Sequence, residues 1–435
     1  MPGAIGIRSE TKSPWERRTP VTPDLARNLV GEGVRVLVQP SARRVFSDRE
    51  FVRAGAEMTT DLSDANAIIG VKEIPPDALL PDKTYLFFSH VIKGQLHNMP
   101  MLARLIELGC TLIDYETITD DAGRRLVFFG RFAGLAGMID TLWALGERLA
   151  AEGVRTPFRS IQPAHTYDTL EDAKNAVREA GQAISSDGLP PLASPMVIGI
   201  AGYGNVARGV REILSEIPIR DIQPQDLLAI NSETFAHRIG VVTFKEQHIV
   251  APNRSDRPFE LQDYYDHPEQ YRAAFADYLP HLTVLMNCNY WDERYPRLVG
   301  KQDLRRLYNT DQRPKLQVIG DLSCDVEGAV ECTLKVTEPG DPVYVWDPDT
   351  GPIASGVEGH GPAVLAVDIL PSELPREASD EFSSSLVGLL PALARADFTA
   401  DFEDLRLPPA LLRGVIVHRG ELTPEYRYLS RFLTG

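Results

Sequence analysis

Apolar runs of strand length alternate with helical patterns through the first quarter of the chain. Ala4–Ile7, Val34–Val38, Ala67–Val71, Tyr85–Phe88 and Thr111–Ile113 read as strands, and Pro23–Val30 and Gln95–Leu108 as helices between them. Thr22 stands as a cap before the first helix, and Gly31 and Gly109 stop the two. Strand–helix alternation predicts a parallel sheet with helices on its faces. The run Ile69-Gly70-Val71 is apolar throughout rather than alternating, as suits a strand covered on both sides.

A long helical pattern follows from Phe132 to Ala151, opened by Ala133, Gly134, Ala136 and Gly137, whose small size suits close packing against a backbone or a ligand. The amphipathic stretch Leu170–Ala180 leads into a loop rich in Gly, Pro and Ser over Ser185–Pro195, which marks entry to a second domain. That domain opens with the apolar run Met196–Ala201, and later strands are expected at Leu282–Met286 and Leu316–Ile319. Beyond Gly361 the pattern is helical (Pro362–Ile369, Ser379–Leu390, Ala392–Ala396). This tail lacks the strands for a domain of its own and is expected to return to the first. The fold expected is α/β, two Rossmann-like doubly wound parallel-sheet domains with a cleft between them. The expected division is 1–152 for a catalytic domain, 153–355 for a dinucleotide-binding domain and 356–435 for the returning segment.

Composition narrows the partners. At 435 residues the chain exceeds one ordinary core, which agrees with two domains. Its formal charge of −16 is scattered, which argues against nucleic acid, since phosphate binding needs a basic face. Cys110, Cys288, Cys324 and Cys332 show no CxxC spacing and no nearby histidine cluster, so inert thiols in a reducing compartment, and no metal, are expected. No apolar run reaches the ~18 residues of a membrane helix. The chain enters a strand by Ala4, with no room for a leader, so a cytoplasmic location is expected.

The sharpest motif is Gly202-Tyr203-Gly204-Asn205-Val206-Ala207, with a strand before it and the helical stretch Val206–Leu214 after it. Gly202 permits the tight turn, Gly204 lets the backbone approach a pyrophosphate, and Ala207 permits close helix–strand packing. The helix start then presents free N–H groups and a positive dipole end to the phosphates. An acid about 20 residues on would hold the adenosine ribose; Asp221 and Asp226 lie in that range, Asp226 at the end of Ile222–Leu227.

In the first domain Lys72 and His90 each fall just past a strand end, at the edge where parallel sheets bind ligands. Lysine and histidine are usual proton carriers near neutral pH. The loop Ser13–Pro20 lies on the same edge, and its arginines, Arg17 and Arg18, suit a bidentate clamp on a carboxylate.

The segments Ile5-Gly6-Ile7-Arg8-Ser9-Glu10 and Glu16-Arg17-Arg18-Thr19-Pro20 resemble the opening of the alanine dehydrogenase and transhydrogenase superfamily. Phe87-Phe88-Ser89-His90, Leu112-Ile113-Asp114-Tyr115-Glu116, Phe129-Gly130, Ala133–Ile139, Tyr290-Trp291 and Ser355–Gly359 bring the resemblance closer to the lysine-ketoglutarate reductases, the amino-terminal half of aminoadipic semialdehyde synthase. The resemblance implies Lys72 and His90 as an acid/base pair and Arg18 as binder of a substrate carboxylate. It puts Lys93, Arg131 and Asp321 along the catalytic cleft, and Gly202, Gly204, Asn205 and Val206 in the dinucleotide loop. It implies condensation of lysine with 2-oxoglutarate and reduction of the imine to saccharopine, with a separate enzyme expected to cleave that product. It also implies NADPH, whereas Asp226 at a strand end would favour NADH unless His237 and Arg238 offset it. NADP(H) is preferred on the resemblance, with NAD(H) open. An alanine dehydrogenase or opine-type enzyme with another substrate, and a non-catalytic NAD(P)-sensing regulator, are the competing readings.

Overall fold

The computed structural model describes residues 3–433 except 231–232, 311–312 and 352. The chain divides into two compact units, Met1–Phe129 with Pro375–Gly435, and Gly130–Leu374. In the first, β1 (Ala4–Ile7), β2 (Arg35–Val38), β3 (Glu57–Met58), β4 (Ala67–Ile69), β5 (Thr84–Phe87) and β6 (Thr111–Asp114) are parallel, in spatial order β6-β5-β4-β1-β2-β3. The helices α1 (Pro23–Gly31), α2 (Asp48–Arg53) and α3 (Met99–Glu107) lie among them in sequence. Thr22 caps α1 by accepting the Leu25 N–H, and Pro23 fills a first-turn position that has no hydrogen bond to lose. The central strands β1, β4, β5 and β6 are buried at every position, which is why their sequences are continuous apolar runs.

The second unit opens with α4 (Gly130–Ala151) and α5 (Leu170–Asp187), the latter started by a capping box between Thr169 and Asp172. Then come β7 (Val197–Ala201), α6 (Asn205–Leu214), β8 (Ile219–Ile222), β9 (Ile239–Phe244) and a separate antiparallel pair, β10 (Val250–Pro252) and β11 (Tyr271–Ala273). The strands β12 (Val284–Asn287), β13 (Val318–Asp321), β14 (Val343–Trp346), β15 (Ile353–Ser355) and β16 (Ala363–Leu365) complete a sheet of order β15-β14-β16-β13-β12-β7-β9-β8. It is parallel except that β14 runs against both its neighbours. The tail returns to the first sheet, where β17 (Val415–His418) pairs antiparallel with β6, and β18 (Glu421–Leu422) with β17.

Small residues in α4 meet backbone. A Cβ added at Gly134 would fall on the Val206 carbonyl of α6, and one at Gly209 on the Arg131 carbonyl of α4. The two helices therefore touch main chain to main chain through facing glycines.

Several expectations are corrected. The units part at Phe129/Gly130 and Leu374/Pro375, not at 152/153 and 355/356. Its packing on α6 puts α4 in the second unit, and pairing with β13 and β14 puts β16 there. The stretch Pro362–Ile369, read as helical, holds β16 instead, because a three-residue apolar run between two neighbours is a strand regardless of its flanks. The returning tail does contain strands. β8 ends at Ile222 and a 3-10 turn occupies Pro224–Ala229, so Asp226 does not end a strand.

Candidate functional site

At the C-terminal edge of the first sheet, charged groups are held by one another. The buried Glu10, past the end of β1, accepts the backbone N–H groups of Val71 (2.7 Å) and Lys72 (3.2 Å), so one carboxylate fixes the chain that carries Lys72 past β4. Burial pushes the Glu10 carboxyl up, against the opposing pull of Arg8, 3.5 Å away. The next residue, Glu73, pairs with His90 Nδ1 at 2.7 Å. Burial would raise the Glu73 carboxyl, but the bond to His90 and its charge outweigh it and bring it down to about 2. His90 follows β5 in the left-handed region (φ 49°), a costly conformation for a residue with a Cβ, and its ring stacks at 6.0 Å on Phe88. The structure thus joins His90 to the neighbour of Lys72.

On the same edge Ser89 donates to the buried Asp114 of β6 through both its hydroxyl and its backbone N–H; burial first, and Glu116 second, raise the Asp114 carboxyl. Arg18 is buried, but its fork is occupied: Nε and Nη2 reach Glu16 at 2.8 and 2.5 Å, and the guanidinium lies 4.2 Å from the centre of the Phe129 ring. Glu16 takes the Nε/Nη2 edge, which leaves the end-on edge of Nη1 and Nη2. Arg17 is exposed, as is Lys93, which sits in the turn closed by Gly94 N–H to Val91 O.

In the second unit, Gly202 adopts φ 108° and donates its N–H to the Phe244 carbonyl at the end of β9 (3.0 Å). A side chain at Gly202 would strike Asn289 and Cys288, whereas Gly204 faces open space. Gly204 caps α6 without any side-chain hydrogen bond, so the N–H groups at Asn205 and Val206 remain for an anion. These features fit a dinucleotide pyrophosphate. Asp321, at the end of β13, accepts from Asn287 Nδ2 (2.8 Å), Ser323 Oγ (2.8 Å) and Thr333 Oγ1 (2.6 Å), and burial raises its carboxyl. It organises the loops after β12 and β13. Arg131 is bound by two prongs to Glu212 of α6, each at 2.8 Å. Asp226 is exposed in the 3-10 turn beyond β8, and β9 separates β8 from the glycine-loop strand β7. The strand beside β7 is thus the later one in sequence, and Asp226 does not lie at its end.

Sequence reasoning missed Glu10, Glu16, Glu73 and Asp114. Their signal was position, since each is an acid at or just beyond a strand end or beside a singled-out cation. Among the described residues no cluster of His, Cys, Asp and Glu suits a metal, and no helix is long and apolar enough to cross a membrane.

Residues 6–136 match the family described as alanine dehydrogenase/PNT, N-terminal domain. The fold is similar to that of L-alanine dehydrogenase, with a TM-score of 0.64 at 18% identity over 99% of this chain and 100% of the other. Alpha-aminoadipic semialdehyde synthase of Arabidopsis thaliana is 36% identical over 99% of this chain, and the chain spans 41% of that protein's length. Saccharopine dehydrogenase [NAD(+), L-lysine-forming] of Emericella nidulans is 28% identical over 88% of this chain and 90% of its own. Residues 6–136 thus match the alanine dehydrogenase/PNT N-terminal family, and most of the chain is similar to aminoadipic semialdehyde synthase, over less than half of that protein's length, and to saccharopine dehydrogenase.

Proposed function

We propose that this protein condenses the ε-amine of L-lysine with the ketone of 2-oxoglutarate and reduces the resulting imine to saccharopine with a reduced nicotinamide dinucleotide. The observation that carries the reading is the Glu10–Lys72–Glu73–His90 chain on one sheet edge. Amine addition to a ketone and loss of water each need a proton moved at nitrogen and at oxygen. Lys72 and His90 carry those protons. Glu73 orients the His90 ring through Nδ1, which leaves Nε2 to face the substrate. Arg18, braced by Glu16, offers its remaining N–H groups to one substrate carboxylate. A bound reduced nicotinamide supplies the hydride to the imine carbon. Gly202, Gly204, Asn205 and Val206 hold the pyrophosphate.

The test follows cofactor absorbance at 340 nm, first with lysine plus 2-oxoglutarate, then with ammonia plus pyruvate. Oxidation only with the first pair is expected. Oxidation only with the second would make the protein an alanine dehydrogenase, and tight dinucleotide binding without turnover would make it a regulator.

A further inference from the structure

We propose that Lys245 reads the 2′ position of the adenosine ribose and selects NADPH over NADH, an inference that rests on the dinucleotide reading above. In a doubly wound sheet the ribose is read from the end of the strand beside the glycine-loop strand. Here that strand is β9: it pairs with β7 along its whole length, and Gly202 N–H bonds its last carbonyl, Phe244 O. The residues that follow, Lys245 and Glu246, therefore stand at the position where Asp226 was expected.

The two differ in what already occupies them. The Glu246 carboxylate accepts from the Tyr203 hydroxyl (3.1 and 3.2 Å) and from the Tyr265 hydroxyl (2.8 Å), so its oxygens are engaged by the protein. Lys245 is exposed, forms no ion pair within 4.0 Å among the described residues, and carries its ammonium 5.8 Å from the centre of the Tyr203 ring. Tyr203 belongs to the glycine loop itself. An uncommitted cation beside that loop suits a dianionic phosphate; an acid already bound by two phenols is poorly placed to take two ribose hydroxyls. Next to it a cavity of about 240 Å³ lies between the segments after β9 and β12, lined by Glu246, Ile249, Tyr265, Asn289, Tyr290 and Trp291. Its aromatic walls suit the flat face of a purine.

Calorimetric titration without amine or keto acid separates this inference from the reaction. Wild-type protein should bind NADPH roughly tenfold or more tightly than NADH, and 2′,5′-ADP more tightly than 5′-ADP. Lys245→Ala should lose about tenfold for NADPH and 2′,5′-ADP and less than about twofold for NADH, while Lys245→Arg keeps the preference. Asp226→Ser should leave the ratio unchanged. Equal weakening of both dinucleotides in Lys245→Ala, a wild-type preference for NADH, or a shift toward NADPH in Asp226→Ser would overturn the assignment. Binding of neither dinucleotide to the wild type would overturn the dehydrogenase reading beneath it.

Discussion

At the edge of the first sheet, Glu10, Glu16, Glu73 and Asp114 each hold a cation, a hydroxyl or backbone N–H groups, and the carriers Lys72 and His90 sit among them. The corresponding edge of the second sheet offers backbone donors at α6, amide side chains, and one buried carboxylate, Asp321, saturated by neutral donors. One architecture thus serves two purposes. Under the function proposed above, charges paired across short distances keep proton carriers oriented, whereas a site for a polyanion must keep acids away from its opening or occupy them. Asp321 and Glu246 are both occupied in that sense.

The contrast breaks most sharply where protons move. Lys72→Met and His90→Gln should each lower turnover by roughly 10²–10⁴ while dinucleotide affinity, read by calorimetry, stays within about twofold of the wild type. Full activity in both would remove them from the mechanism. On the other edge, Asp321→Ala leaves the Asn287, Ser323 and Thr333 donors without their acceptor and should destabilise the second unit by about 2–4 kcal/mol, seen as a lower thermal transition. An unchanged transition would mean that those donors find new partners.

Acid should expose the paired edge. The Glu73 carboxyl is lowered from 4.5 to about 2, so its stabilisation is complete above the unfolded value and is lost as pH falls through the folded one. Wild-type stability should then drop between pH 4.5 and 2 by about 1–3 kcal/mol more than that of Glu73→Gln; parallel curves for the two proteins would show that the pair contributes nothing. Arg18→Lys gives the smallest effect, a rise in the Michaelis constant for the keto acid of about five- to tenfold with a lesser change in turnover. A change confined to the constant for lysine would assign Arg18 to the other carboxylate.

The parallel strands and the glycine loop were legible because burial on both faces leaves continuous apolar runs, and Gly202 and Gly204 serve a backbone geometry that other residues resist. What stayed hidden was spatial order. Nothing in the residues of Ile219–Ile222 and Ile239–Phe244 says that the later strand lies beside β7, and the proposal for Lys245 at the end of β9 rests on this ordering. The antiparallel β14 and β17 were hidden likewise, since four-residue apolar runs next to loops fit either element. Lys72 and His90 could be picked out by their place after strands. Glu10 and Glu73 carried a positional signal too, but only the folded chain shows which neighbours they hold.

The facing glycines of α4 and α6 bear on how the protein can change over evolutionary time. With each Cα seated against the other helix's carbonyl, neither Gly134 nor Gly209 can acquire even a methyl group unless the helices separate. Separation would move the start of α6, where Asn205 and Val206 present their amides. Position 134 lies away from the amides of the glycine loop, yet its lack of a side chain sets where the start of α6 stands. Substitutions there should register as lost dinucleotide affinity before they register as lost fold.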